Sequence, residues 1–219
     1  MDSFRYQTGL TRTVYRLKKD VNIISKRIYQ NLTLHSHFFS YICKIQCMPI
    51  LPIVHYPEPV LLEVGKPVDE FGAELERLVA DMFVTMEDAG GVGLAAPQVG
   101  VGQRLFVMDT PERDGYAQER HVLINPEIIH VEGEQTGDEG CLSFPGLYQV
   151  VRREMRVIAR AHNLKGEQVE IDVRDLAARC ILHETDHCDG IVFLDRMTPL
   201  KRQLAKRKIK TLQKTGKWN

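Results

Sequence analysis

His183-Glu184-Thr185-Asp186-His187 lies near the end of a 219-residue chain and decides how the rest is read. In an α-helix, residues four apart share a face one turn apart, so the two imidazoles can grip one metal ion. Glu184 sits about 100 degrees further round, near enough to touch a metal-bound water without being a ligand. Its neighbours Leu176, Ala177, Cys180, Ile181 and Leu182 make this a core helix, where two histidines and a glutamate are costly without a partner. The helix is expected over Leu176 to Asp189, with Asp175 as N-cap and Gly190 beyond the end.

A catalytic site of this kind needs a third protein ligand. Helical zinc proteases supply a His six residues after the second His, or a Glu about 20 residues on. Here the first position is Phe193, and Asp195 is the last acidic residue, so the third ligand must come from upstream. The best candidate is Cys141 in Glu139-Gly140-Cys141-Leu142-Ser143, where small neighbours suit close backbone approach to a metal. Cys180 and Cys188 flank the histidines on other helix faces and are assigned to packing.

Outward from this helix, Leu75, Leu78, Val79, Met82, Phe83 and Met86 recur at three- and four-residue steps and predict a core-facing helix from Gly72 to Ala89, ended by Gly90 and Gly91. Val92 to Gly102, rich in Gly and small residues, reads as a loop. A glycine-rich loop can also bind phosphate, but this one lacks the Lys-Ser or Lys-Thr ending and no strand plainly leads into it. Strands are expected at Arg104 to Asp109, Val122 to Ile124, Ile128 to Val131, Val150 to Ala161 and Gln168 to Val173, and a last helix at Leu200 to about Lys214 after Pro199. The fold class is therefore α+β: mostly antiparallel sheets packed around a buried helix that carries the H-E-x-x-H pattern, with a C-terminal helix.

Composition agrees with one globular domain and an appendage: 43% hydrophobic and 26% charged residues, with no apolar run near the roughly 18 to 20 residues of a membrane span. The 29 basic and 29 acidic side chains cancel, but unevenly. Residues 1–47 hold eight Lys or Arg against Asp2 and Asp20, contain no Pro, and give way at Met48 to Pro49, Pro52, Pro57 and Pro59. That extension reads either as a transit-like segment or as the product of a misassigned start, with Met48 the initiator. Residues 201–219 carry eight basic side chains and no acid, which suits an anionic partner or a solvated face. Five cysteines in no disulfide spacing point to a reducing compartment; Cys43 and Cys47, beside His35 and His37, are too loosely spaced for a zinc knuckle.

Three segments in order, Gly91-Val92-Gly93-Leu94-Ala95-Ala96-Pro97-Gln98, Glu139-Gly140-Cys141-Leu142-Ser143 and His183-Glu184-Thr185-Asp186-His187, closely resemble the signature motifs of the peptide deformylase family. The resemblance runs from about Met48 to the basic C-terminal helix, making residues 48–219 the expected catalytic domain, while residues 1–47 have no counterpart in bacterial members. Leu182 stands where the family usually has Gln, and Cys188 where it usually has Leu. Neither is a ligand position.

The resemblance implies a hydrolase that removes the formyl group from N-formylmethionine at the amino terminus of newly synthesised proteins, with N-formylmethionyl nascent peptides as partners. It implies Cys141, His183 and His187 as ligands of one divalent metal, iron(II) expected and zinc, nickel or cobalt possible. Glu184 would be the general base, with the Gln98 side chain and the Leu142 backbone N–H as oxyanion donors. Gly91 and Gly93 would let backbone approach the substrate, and Leu94, Leu142, Phe144, Ile181 and Leu182 are candidates for the methionine pocket. Arg153 is a candidate to hold the substrate backbone, with an exposed strand-face charge as the alternative. The basic C-terminal helix resembles a ribosome-docking segment, and its deletion is expected to spare short-peptide hydrolysis. The compartment would be the cytoplasm, or an organelle stroma or matrix if residues 1–47 are a transit peptide. The competing functions are a zinc endopeptidase of the H-E-x-x-H class and a catalytically silent ribosome-associated metal protein.

Overall fold

The computed structural model describes residues 49–218. The readings placed on residues 1–48, including the Met48 boundary and the cysteines at 43 and 47, lie outside the described residues. Among the described residues there are three α-helices, α1 (Ala73–Asp88), α2 (Asp175–Cys188) and α3 (Pro199–Lys214). The described residues also form seven strands: β1 (Gly93–Ala95), β2 (Leu105–Thr110), β3 (Glu119–Glu132), β4 (Gln135–Gly140), β5 (Tyr148–Arg153), β6 (Arg156–His162) and β7 (Gln168–Arg174). Five of them form one antiparallel sheet in the order β1-β2-β3-β6-β7, and β4 pairs with β5 as a separate antiparallel ribbon. The architecture is α+β.

Strand β2 shows why its sequence is a continuous apolar run. Successive side chains of a strand point to opposite faces. Phe106 and Met108 pack with Ala177, Ala178 and Ile181 of α2, while Leu105 and Val107 join Leu75, Val79 and Met82 of α1. A third cluster gathers Phe144, Leu147 and Phe193 with Ala205 and Ile209 of α3 and with Trp218. Among the described residues no helix is long and apolar enough to cross a membrane.

Four local expectations are corrected. The segment from Val92 holds a short strand, β1, because Gly93, Leu94 and Ala95 pair with Met108, Val107 and Phe106 along the edge of β2; a 3₁₀ turn at Ala96–Val99 follows. The two strands expected at Val122 and Ile128 are one, β3, whose register shifts between Ile124 and Glu127. Pro126 has no N–H for the ladder, and Asn125 takes a positive φ of 52° there while its side chain bridges both backbone groups of Val68. The single strand expected from Val150 to Ala161 breaks at Glu154-Met155, so that β5 pairs with β4 and β6 joins the large sheet. Asp175 is the first residue of α2 rather than its cap, with Arg174 at the N-cap.

Candidate active site and metal centre

Helix α2 lies on the large sheet, so its polar motif residues are buried with its apolar ones: His183, Glu184, Asp186 and His187 are all in the interior. The imidazoles of His183 and His187 stand 5.0 Å apart, centroid to centroid, one turn along the same face. His183 Nδ1 lies 2.7 Å from Glu139 Oε1, which leaves its other ring nitrogen for the site. His187 Nε2 lies 3.2 Å from Cys141 Sγ. One ligand atom from each of Cys141, His183 and His187 lies within 4.8 Å of the others, and this is the one such cluster of His, Cys, Asp or Glu among the described residues.

Glu139, at the end of β4, explains why these charges can be buried. Its carboxylate accepts from Arg153 Nε and Nη2 at 3.1 and 2.7 Å and from Arg179 Nη1 at 2.9 Å, in addition to its bond with His183. Arg153 Nη1 also donates to Asp186 at 2.6 Å, and Arg196 closes on the same carboxylate from the partly exposed side. Burial alone would raise the Glu139 carboxyl. Hydrogen bonds from His183 and Arg153 overcome it and hold that group far below the usual carboxylate range. For His183, burial likewise opposes the charged form but is outweighed by the Cys141 and Glu139 hydrogen bonds, so its pKa rises. That of His187 falls, through burial and the neighbouring His183.

Glu184 faces another way. Its Oε2 is buried and has no protein partner, and burial, with Glu139 adding to it and His183 opposing it, pushes its pKa up to about 7. A group with that pKa can take and return a proton near neutrality. Gly93 is the residue that makes room: a Cβ there would collide with the Glu184 carboxylate and lie 2.6 Å from Cys180 Sγ. Gln98 is held by its own turn, its Oε1 accepting from Ala95 N at 2.7 Å, and its Nε2 is 3.4 Å from Cys141 Sγ. The Leu142 N–H donates to no carbonyl of the described residues. A cavity of about 430 Å³ opens on this group, bordered by Gly91, Gly93, Gln98, Cys141, Leu142 and Glu184.

Four expected substrate contacts are corrected. Arg153 is neither at the cavity nor on an exposed strand face, because its side chain is 4% exposed and its guanidinium is spent on Glu139 and Asp186. Leu94 sends its side chain into the core beside α1, since its neighbours Gly93 and Ala95 carry the opposite face of β1. Ile181 and Leu182 also pack into the sheet core, while Leu142 and Phe144 do border the cavity. Sequence reasoning missed Leu147, Tyr148, Leu176 and Cys180 as cavity walls, and it missed Glu139 as the anchor of His183. An acid beside the Gly140-Cys141 pair was a usable signal for Glu139. Nothing local marked the others.

Residues 50–203 match the family model described as polypeptide deformylase. A peptide deformylase of Acidobacterium capsulatum is 49% identical over 171 residues, covering 78% of this chain and all of that relative. The chain belongs to the polypeptide deformylase family. The crystal structure of a peptide deformylase from Legionella pneumophila, 42% identical, superposes with a TM-score of 0.69 over 77% of this chain and 98% of that one. A plant peptide deformylase, 34% identical, gives 0.70 over 84% and 94%. As a member of the deformylase family the chain is a hydrolytic enzyme, and the family works with a divalent metal. The residues present fit such an ion: one thiol and two imidazoles converge with a fourth side open to the cavity, and the unpartnered Oε2 of Glu184 is an atom that otherwise has no reason to be buried.

Proposed function

We propose a residue-level course for the reaction of this enzyme, removal of the formyl group from N-formylmethionine at the amino terminus of newly synthesised proteins with release of formate. The observation that carries it is the pairing of a three-atom ligand cluster with a buried, unpartnered Glu184 oxygen. Cys141, His183 and His187 would hold the ion, which we assign as iron(II). When bound, the ion supplies Lewis acidity, lowering the pKa of a water molecule toward neutrality and polarising the formyl carbonyl.

Glu184 Oε2 is placed to accept a proton from an attacking water as the water oxygen adds to the formyl carbon, and to pass that proton to the methionine nitrogen as the carbon–nitrogen bond breaks. Gln98 Nε2 and the Leu142 N–H donate to the oxyanion that develops on the former carbonyl oxygen. The bond that the Ala95 N–H donates to Gln98 Oε1 leaves the amide nitrogen as the end that faces the site. The cavity receives the methionine side chain, and the absence of side chains at Gly91 and Gly93 lets the peptide backbone approach Glu184. The Glu139–Arg153–Asp186 network keeps His183 in place through Glu139.

Glu184→Ala tests this directly. It should lower kcat by about a thousandfold, within the span ascribed to general acid–base groups, while the bound metal measured by elemental analysis stays at one per chain. Loss of the metal with activity, or full activity without Glu184, would sink the assignment. Cleavage of internal bonds in an unformylated peptide would favour the endopeptidase reading, against which stand Phe193 and the acid-free stretch after Asp195.

We further propose that residues 48–219 are the catalytic unit, so that a chain begun at Met48 keeps full activity. That unit would work in the cytoplasm, and in an organelle stroma or matrix where residues 1–47 serve for import. Mass spectrometry of the native amino terminus tests both. The ribosome is the proposed anionic partner of α3, supported by its lysines and arginines on the solvent side. Lys206→Glu with Lys210→Glu should weaken binding to ribosomes and flatten its salt dependence.

A further inference from the structure

We infer that Trp218 is a positioning residue for catalysis: packed against Phe144, it holds the Cys141–Leu147 segment where Cys141 and the Leu142 N–H meet the residues of α2. The inference rests on the roles proposed above for those two groups. Segment 141–147 belongs to no helix or strand, so its place is set by what grips it. Phe144 is the grip. Its N–H donates to Cys141 O at 2.9 Å, and Tyr56 N–H donates to Ser143 O at 3.0 Å, so the residues on both sides of Leu142 are tied to this one point.

Phe144 is itself enclosed by three aromatic rings. Tyr56 stacks on it at 5.0 Å, Phe193 meets it edge-on at 4.9 Å, and Trp218 meets it edge-on at 6.0 Å with planes at 85°. The indole N–H of Trp218 donates to Tyr56 O at 2.8 Å, so one side chain fixes both the ring on Phe144 and the strand of chain that holds Ser143. The sequence delivers it there. Gly216, at φ 65°, ends α3 by turning the chain back, Lys217 N–H donates to Leu212 O at 2.9 Å, and Trp218 enters the core at 5% exposure. It lies beyond residue 203, where the match to the family model stops. The C-terminal segment is thus part of the support of the site, and deletion of residues 201–219 should lower short-peptide hydrolysis rather than spare it.

Trp218 is the sole tryptophan of the chain, so its emission reads the contact without any substitution. Titrating the metal-loaded full chain with a methionyl peptide hydroxamate should change that emission and saturate as the cavity fills; unchanged emission at saturation overturns the inference. In parallel, Trp218→Ala should lower kcat roughly tenfold with KM moved less than about twofold, and Trp218→Phe should recover most of the loss, because small displacements of positioned groups act on turnover. A folded Trp218→Ala with the parent kcat also overturns it, and if that variant does not fold at 25 °C the emission titration decides. Formate release by the unmutated chain tests the proposed function separately: an active parent with unresponsive emission removes the role of Trp218 alone.

Discussion

The two halves of the site are held by different physics. His183, Glu184 and His187 ride on α2, whose spacing is set by the helix and whose charges are locked by Glu139, Asp186, Arg153 and Arg179. Cys141 and Leu142 ride on a segment without regular structure, placed by aromatic packing around Phe144 and by hydrogen bonds from Tyr56 and Phe144. A charge network in the interior tolerates no missing member, whereas a packed loop yields by degrees. Rigid placement of His183, Glu184 and His187 on one side, with adaptable placement of Cys141 and Leu142 on the other, follows from that difference.

Breaking the helix half costs most. Arg153→Met removes the shared partner of two buried carboxylates and should destabilise the fold by about 3–5 kcal/mol, measured by denaturant unfolding. A loss under 1 kcal/mol would mean that the network adds little to the helix half. Arg156 makes ion pairs of the same kind with Glu132 and Asp172 on the solvent face of the sheet, and Arg156→Gln should leave the melting temperature close to that of the parent.

Removing a donor comes next. Gln98→Ala should raise the barrier by about 2.7–4 kcal/mol, seen in kcat with little change in KM. Equal losses in both constants would instead make Gln98 a binding group. Gly93→Ala is sharper in geometry though smaller in size. The added Cβ must displace the Glu184 carboxylate or Cys180, and a shift near 1 Å should reduce kcat/KM by about a hundredfold while the metal content stays unchanged. Smallest is Leu182→Gln, which restores the usual family residue at a half-buried position off the ligand face. We expect kcat/KM to move by less than about threefold, since no ligand or proton carrier is touched.

Much of the helix half was legible because a 3.6-residue period turns spacing into geometry. The i, i+4 pair of histidines, the offset of Glu184 and the apolar neighbours of α2 each carry their meaning locally. Arg153 was misread for the opposite reason. A lone arginine in a strand says nothing of the two carboxylates it will meet, Glu139 across the β4–β5 ribbon and Asp186 on a helix 33 residues later. Leu94 was misread because a Gly- and Ala-flanked leucine hides a short edge strand, visible only once β2 is there to pair with it.

By itself the sequence determined the helix that carries the H-E-x-x-H pattern, the apolar faces of α1 and α2, the stop signals around them and the type of chemistry, because these depend on neighbours within one or two turns. Tertiary structure alone decided that Cys141 reaches His187, that Glu139 steadies His183, and that Trp218 closes over Phe144. Those contacts join residues dozens of positions apart, and only the packing of sheet, ribbon and C-terminal helix against one another brings them within bonding distance.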